Sequence, residues 1–369
     1  MPTGSSHKYP SPDTSDQAPT NDQNDGSIRS RVSIREVARH AGVSLSSVSR
    51  VLNGHPNITP KLRKQVEDAV QTLGYQVNLV GAGLRRGTTR TVGFLINDIA
   101  NTLFAEIMLG AEAALSEAGY LVTLISSQNG DDETAITLFR NRRVDGLLAA
   151  LSDDTRPDIH RLIAASSSDC PTVLLDRDMP MACSRVLTDH QHALDEAVDE
   201  LAGAGHRNIA LLTGSLRTRP GRERMRAIRS ALARHGLRIR EDSLIAHDAP
   251  TALAGEASMR ALLRRRKGAA PTAVIVGGGQ LQVGVLKALR DEGVQVGEGM
   301  SIITLDDTPL VELHSPPITA IRRDVVAIGR KAAELLLKAM VDKDGAPGTI
   351  VMPVELIRRD SVKRLRADS

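Results

Sequence analysis

From Thr91 onward the chain alternates short apolar runs with amphipathic stretches, and no other feature limits its fold so strongly. The runs "TVGFLIN", "YLVTLIS", "VDGLLAAL", "PTVLLD", "NIALLTG", "TAVIVGGG" and "SIITLDD" have the length and β-branched content of buried strands. Helical spacing fills the intervals at residues 104–119, around 134–141, and at 192–203, 222–235 and 283–292. Strands alternating with helices build parallel sheets covered on both faces. About 280 residues is too many for one comfortable sheet, so a doubly wound α/β domain of two similar lobes is expected. Ligands of such sheets sit beyond the carboxyl ends of the strands, which points to a cleft between the lobes.

The segment before it follows a different rule. Ser33-Ile34-Arg35-Glu36 reads as a capping box. Ile34, Val37, Ala38 and Ala41 then form a short helical stripe, which Gly42 ends. Ser44 can cap a second helix through Val48, Val51 and Leu52, closed by Asn53-Gly54. Thr59-Pro60 starts a third, with Leu62, Val66, Ala69, Val70 and Leu73 on one side and Gly74 as its stop. Three short helices with a tight first turn describe an all-α helix-turn-helix domain. Val43, Val48 and Val51 belong to its core, not to a recognition surface.

Charge supports that division. Residues 1–28 are Ser-, Pro- and Asp-rich with a net charge of −3, and too poor in aliphatic side chains to fold, so a disordered tail is expected. Residues 29–90 carry eleven Lys/Arg against three acids, a net of +8 in a chain of only +3. A basic head on a near-neutral body is the footprint of nucleic-acid binding. The resulting domains are a tail at 1–28, a head at 29–76, a hinge at 77–90 and a two-lobed body at 91–369. With two cysteines, no secretory signal pattern and no membrane-length apolar run, a cytoplasmic protein is expected.

Enzyme readings find little support. "NLVGAGLRRG" has the glycines of a dinucleotide loop, but it follows a helix and runs into a strand, the reverse of what that loop requires. Neither H-E-x-x-H nor G-x-S-x-G occurs, and no nucleophile–base pairing is readable. His190 and His192 in "DHQH" lack third and fourth ligands at metal-binding spacing. No catalytic residue, metal or cofactor is expected.

The runs "VSIREVARHAGVSLSSVSRVLNG", "LRKQVEDAVQTLGYQVN", "VDGLL", "VLLDRD", "GHRNIALLTG", "RERMRAIRSAL" and "LDDTPLVEL…PPITAIRRD…IGRKAAELLL" resemble the lac-repressor/galactose-repressor family of bacterial transcription regulators. The similarity extends over nearly all of residues 31–360. It implies a helix-turn-helix head, a hinge, and a two-lobed body like the periplasmic sugar-binding proteins. The implied function is repression of transcription by a homodimer, or a tetramer, on a palindromic double-stranded DNA operator. A sugar or related metabolite would be the effector, and no membrane is involved.

The resemblance also assigns residues. The second helix would enter the major groove, with Leu45 and Ser46 choosing the sequence and Arg50 touching a base. Ser44, Ser47, Ser49, Asn53, Asn57 and Thr59 would meet phosphates, although Ser44 and Thr59 also suit helix caps. In the hinge, Leu84 would wedge into the minor groove and Arg85 would meet the backbone. Gly81 and Gly83 would keep that hinge reluctant to form helix without DNA. In the cleft, Asn101, Phe104, Asp189, Arg224 and Asp306 would contact the effector. Gly277-Gly278-Gly279 departs from the family's usual Ala-Asn-Asp, so a common polar clamp on sugars is missing, and Trp is absent for stacking on a sugar ring.

Overall fold

The computed structural model of the chain describes residues 32–52, 54–75, 88–127, 130–166, 169–266, 268–342 and 344–365. The tail at 1–28, Gly81, Gly83, Asn53, Leu84 and Arg85 lie outside the described residues. Packing divides the chain into two compact units, Met1–Ala82 and Gly83–Ser369.

The first unit is built on α1 (Ile34–His40), α2 (Leu45–Leu52) and α3 (Pro60–Leu73). The capping box forms in full: the Ser33 amide donates to Glu36 at 2.7 Å, and Glu36 N–H donates to Ser33 Oγ at 3.4 Å. Thr59 caps α3, accepting from Leu62 N–H at 3.3 Å, and Gly74 ends it in the left-handed conformation. Val37, Val48, Val51 and Val66 are buried together as the core of the head, while Val43 packs on it only half-buried.

The second unit contains two six-stranded sheets. The first joins β1 (Thr91–Ile96), β2 (Leu121–Ser126), β3 (Gly146–Ala149), β4 (Thr172–Leu175), β5 (Ser184–Thr188) and β11 (Thr349–Met352) in the order β11-β5-β4-β3-β1-β2. The second joins β6 (Ile209–Thr213), β7 (Leu244–Ala246), β8 (Ala273–Val276), β9 (Ser301–Thr304), β10 (Thr319–Arg323) and β12 (Val354–Ile357) in the order β12-β10-β9-β8-β6-β7. All pairings are parallel except β10 with β12. Strands such as Thr172–Leu175 and Ala273–Val276 are buried along their whole length, as sheets covered on both faces require.

The covering helices of the first sheet are α4 (Thr102–Glu117), α5 (Asp132–Asn141), α6 (Pro157–Ala164) and α12 (Val325–Val341). Those of the second are α7 (His190–Gly203), α8 (Arg219–Arg234), α9 (Ala252–Leu263) and α10 (Gly279–Asp291), with the short α11 (Pro309–Glu312) beside them. The chain therefore crosses between lobes after β5, after β10 and after β11. Several helices begin up to a turn before their apolar stripes suggest, because polar residues cap them. Asp131 accepts from Thr134 N–H and Asp189 from His192 N–H, and Pro220 opens α8.

One close approach explains two glycines. A Cβ added to Gly110 of α4 would lie 1.9 Å from the Val326 carbonyl oxygen, and one on Gly329 of α12 would lie 1.8 Å from that of Ile107. The two helices touch backbone to backbone, which only glycine allows.

Candidate functional site

In α2 the buried side carries Val48 and Val51, leaving Leu45, Ser46 and Arg50 outside. Leu45 is 43% exposed. Ser44 accepts from the Ser47 amide at 3.1 Å, and its hydroxyl lies 2.8 Å from those of both Ser46 and Ser47. The serines thus form a hydroxyl cluster at the start of α2, where helix N–H groups favour anions such as phosphate. Ser49 is half-buried, and Asn57 is exposed. Ser44 and Thr59 both act as caps.

In the body, sheet topology creates the cavity. In each sheet the strand order reverses beside one strand, β1 in the first and β6 in the second. Loops leaving β1 and β3 part to opposite faces, as do those leaving β6 and β8, and each parting opens a crevice at the carboxyl ends. Both crevices face one cavity of about 840 Å³, the size of a small-molecule site. Asn101, Phe104, Arg224 and Asp306 line it. Asn101 caps α4 through Leu103 N–H at 3.2 Å, and Phe104 is buried in the first turn of that helix.

Asp189 corrects the expectation drawn from resemblance. Its carboxylate caps α7, accepting from His192 N–H at 3.0 Å, and does not line the cavity. Asp176, immediately after β4, does line it, held at a positive φ of 49°. Such a conformation costs a non-glycine residue about 1–3 kcal/mol and persists only where its surroundings fix it. Here they do. Asp176 accepts from Arg219 Nη1 at 2.6 Å, from Thr188 N–H at 3.1 Å, and lies 2.9 Å from His190 Nε2. Burial pushes its carboxyl up, but His190, Arg219 and Arg323 outweigh that and hold it well below the usual carboxylate range. No spacing rule marks "LLDRD" as such a centre; only the crossover at Thr188–His190 brings these groups together.

Asp306 is also engaged. It pairs with Arg323 at the end of β10 and accepts from the Gly278 amide at 3.1 Å. Arg224 is the contrast: it is 7% exposed, its Nε has no partner, and among the described residues no ion pair or hydrogen bond meets it. Burial holds its guanidinium below the ordinary value, with the Asp306 charge opposing. A buried cation without a partner is costly, which sets Arg224 apart from the paired arginines of the lining.

The glycine triplet has a structural explanation as well. A Cβ at Gly277 would stand 2.8 Å from Arg224 Nη1, and Gly278 sits at φ +114°, a region closed to other residues. His190 and His192 do not converge, since the first is buried on Asp176 and the second is exposed. Among the described residues no group of three His, Cys, Asp or Glu is arranged to hold a metal, and no helix is long and apolar enough to cross a membrane.

The comparisons agree with this architecture. Residues 33–78 match the profile of bacterial regulatory proteins of the lacI family, and residues 198–362 that of a periplasmic binding protein-like domain. Catabolite control protein A of Priestia megaterium is 32% identical over 338 residues, 90% of this chain and 99% of that one. The HTH-type transcriptional repressor PurR of Vibrio cholerae is 30% identical, over 90% of this chain and 98% of its own. The crystal structure of the lac repressor dimer bound to operator and the anti-inducer ONPF superposes with a TM-score of 0.78 at 27% identity, over 90% of this chain and 99% of that one. These relatives are regulators, not enzymes. With a helix-turn-helix head followed by a two-lobed binding body, the chain belongs to the lacI family of bacterial regulatory proteins and is a DNA-binding regulator of transcription.

Proposed function

We propose that the protein is a homodimeric repressor that binds a palindromic operator and releases or grips it according to a small molecule in the interlobe cavity. The observation that carries the reading is the pairing, in one chain, of an outward Leu45–Ser46–Arg50 face with a cavity holding an unpartnered buried arginine. Arg50 reads a base, with the serines, Asn53, Asn57 and Thr59 on phosphates. Leu84 of the hinge at 77–90 wedges into the minor groove, and Arg85 meets the nearby DNA backbone. Asn101, Phe104, Arg224 and Asp306 meet the effector. The ligand acts by binding one lobe arrangement better than another, and DNA must then alter ligand affinity by the same factor.

Operator capture from genomic fragments, repeated against a metabolite panel, tests this. Enrichment of a two-fold-symmetric sequence, altered by at least one metabolite, is expected. Recovery of fragments with no shared symmetric motif would count against the reading.

A further inference from the structure

The residues around Arg224 specify more than a generic effector. Resting on the reading of the cavity as the effector site, we infer that the effector carries an oxyanion, a carboxylate or a phosphate, seated between Arg224 and the N-terminus of α10. Five arginines and five aspartates line the cavity, so their pairing decides its character. Asp306 is taken by Arg323, Asp176 by Arg219 and His190, and Asp248 by Ser215 and Arg217. Asp98 and Asp153 accept from nearby amides of their own loops. The lining aspartates are therefore occupied, while Arg224 is not. Arg177, also buried in the lining, bonds only to backbone carbonyls.

The glycine triplet sets the geometry. Gly277 lets the Arg224 guanidinium lie against the loop, and α10 begins at Gly279 with no side-chain cap. Of the N–H groups there, Gly278 donates to Asp306, whereas Gly279 and Gln280 line the cavity in the first turn, where no intrahelical acceptor exists. An exposed helix N-terminus carries partial positive charge and open donors. A side-chain carboxylate at Gly279 would occupy that place; the open space around the position leaves it for a ligand's own anion. A neutral polyol would bring the Arg224 guanidinium no anionic partner of its own, leaving it only the carboxylates already engaged elsewhere. A ligand oxyanion completes both halves of the site.

The test is saturable thermal stabilisation of the full-length protein by inorganic phosphate and, separately, by acetate, each against sodium chloride at matched ionic strength. The wild type should respond to one of the two, and which one separates phosphate from carboxylate effectors. Gly279→Asp, which fits the open space and places its own carboxylate in the site, should weaken the apparent affinity by roughly tenfold or more. Arg224→Gln should do the same, and Arg224→Lys should retain part of the response. An equal response in the wild type and Gly279→Asp, or no saturable response to either anion, would overturn the inference. Operator binding by the same preparations without added anion separates that failure from a failure of the regulator reading.

Discussion

Arg219, at the first turn of α8 in the C-terminal lobe, donates to Asp176, just past β4 in the N-terminal lobe, with Nη1 and Oδ1 2.6 Å apart. Both side chains are mostly buried, and the bond joins the two lobes at Asp176 in the cavity wall. The two partners are not equivalent. Arg219→Ala leaves Asp176 with His190 and Thr188, and should cost about 1–3 kcal/mol. Asp176→Asn strips the counter-charge from Arg219 and should cost about 3–5 kcal/mol. Urea unfolding of both variants checks the order; an Arg219→Ala loss equal to or above that of Asp176→Asn would contradict it.

His190 adds a pH dependence. Burial holds its imidazole below the ordinary value, with the Asp176 charge opposing. As pH falls, the unfolded chain therefore takes up this proton first. The group's contribution is complete above the unfolded value of about 6.5 and declines as pH drops from there toward the folded value. Because burial also holds His206 low, the readout is a difference between proteins. Below about pH 6.5, unfolding free energy should fall less steeply in His190→Gln than in the wild type. Identical slopes would show that His190 does not titrate on unfolding.

Gly329 tests the backbone contact of α4 with α12. Alanine favours helix by about 1 kcal/mol, but its Cβ would meet the Ile107 carbonyl at 1.8 Å. Overpacking against backbone wins, and Gly329→Ala should lose about 1–3 kcal/mol net by denaturant unfolding. Gly203→Ala, with nothing within 4 Å of the new Cβ, should be neutral or slightly stabilising.

The parts legible in the sequence are those with a local cause. Caps at Ser33, Thr59 and Gly74 and the apolar runs of β1, β3, β4, β6 and β8 announce themselves. β5 does not, because "SRVLT" mixes polar and apolar residues and depends on its neighbours β4 and β11 for its place. β11 and β12, split by Pro353 between the two sheets, give no local sign of that division. Arg224 and Asp306 were reachable through resemblance. Asp176 carries no such mark, because its neighbours Arg219 and His190 reach it through a crossover that pattern reading does not resolve.

Arg50 is exposed on α2 beside Leu45 and Ser46. Arg50→Ala should lower discrimination between operator and altered operator by about 1–3 kcal/mol in competition binding, with thermal stability unchanged. Unaltered discrimination would remove Arg50 from base reading.

Control of the head by a ligand in the cavity requires that operator affinity respond to that ligand. The decisive measurement is operator affinity by fluorescence anisotropy, with and without each metabolite of a panel, in the wild type and in Arg224→Gln. At least one metabolite should shift the wild-type affinity by about 5–150-fold, the range of ordinary allosteric coupling, and the shift should be lost in Arg224→Gln. A shift of the same size in both proteins would contradict it.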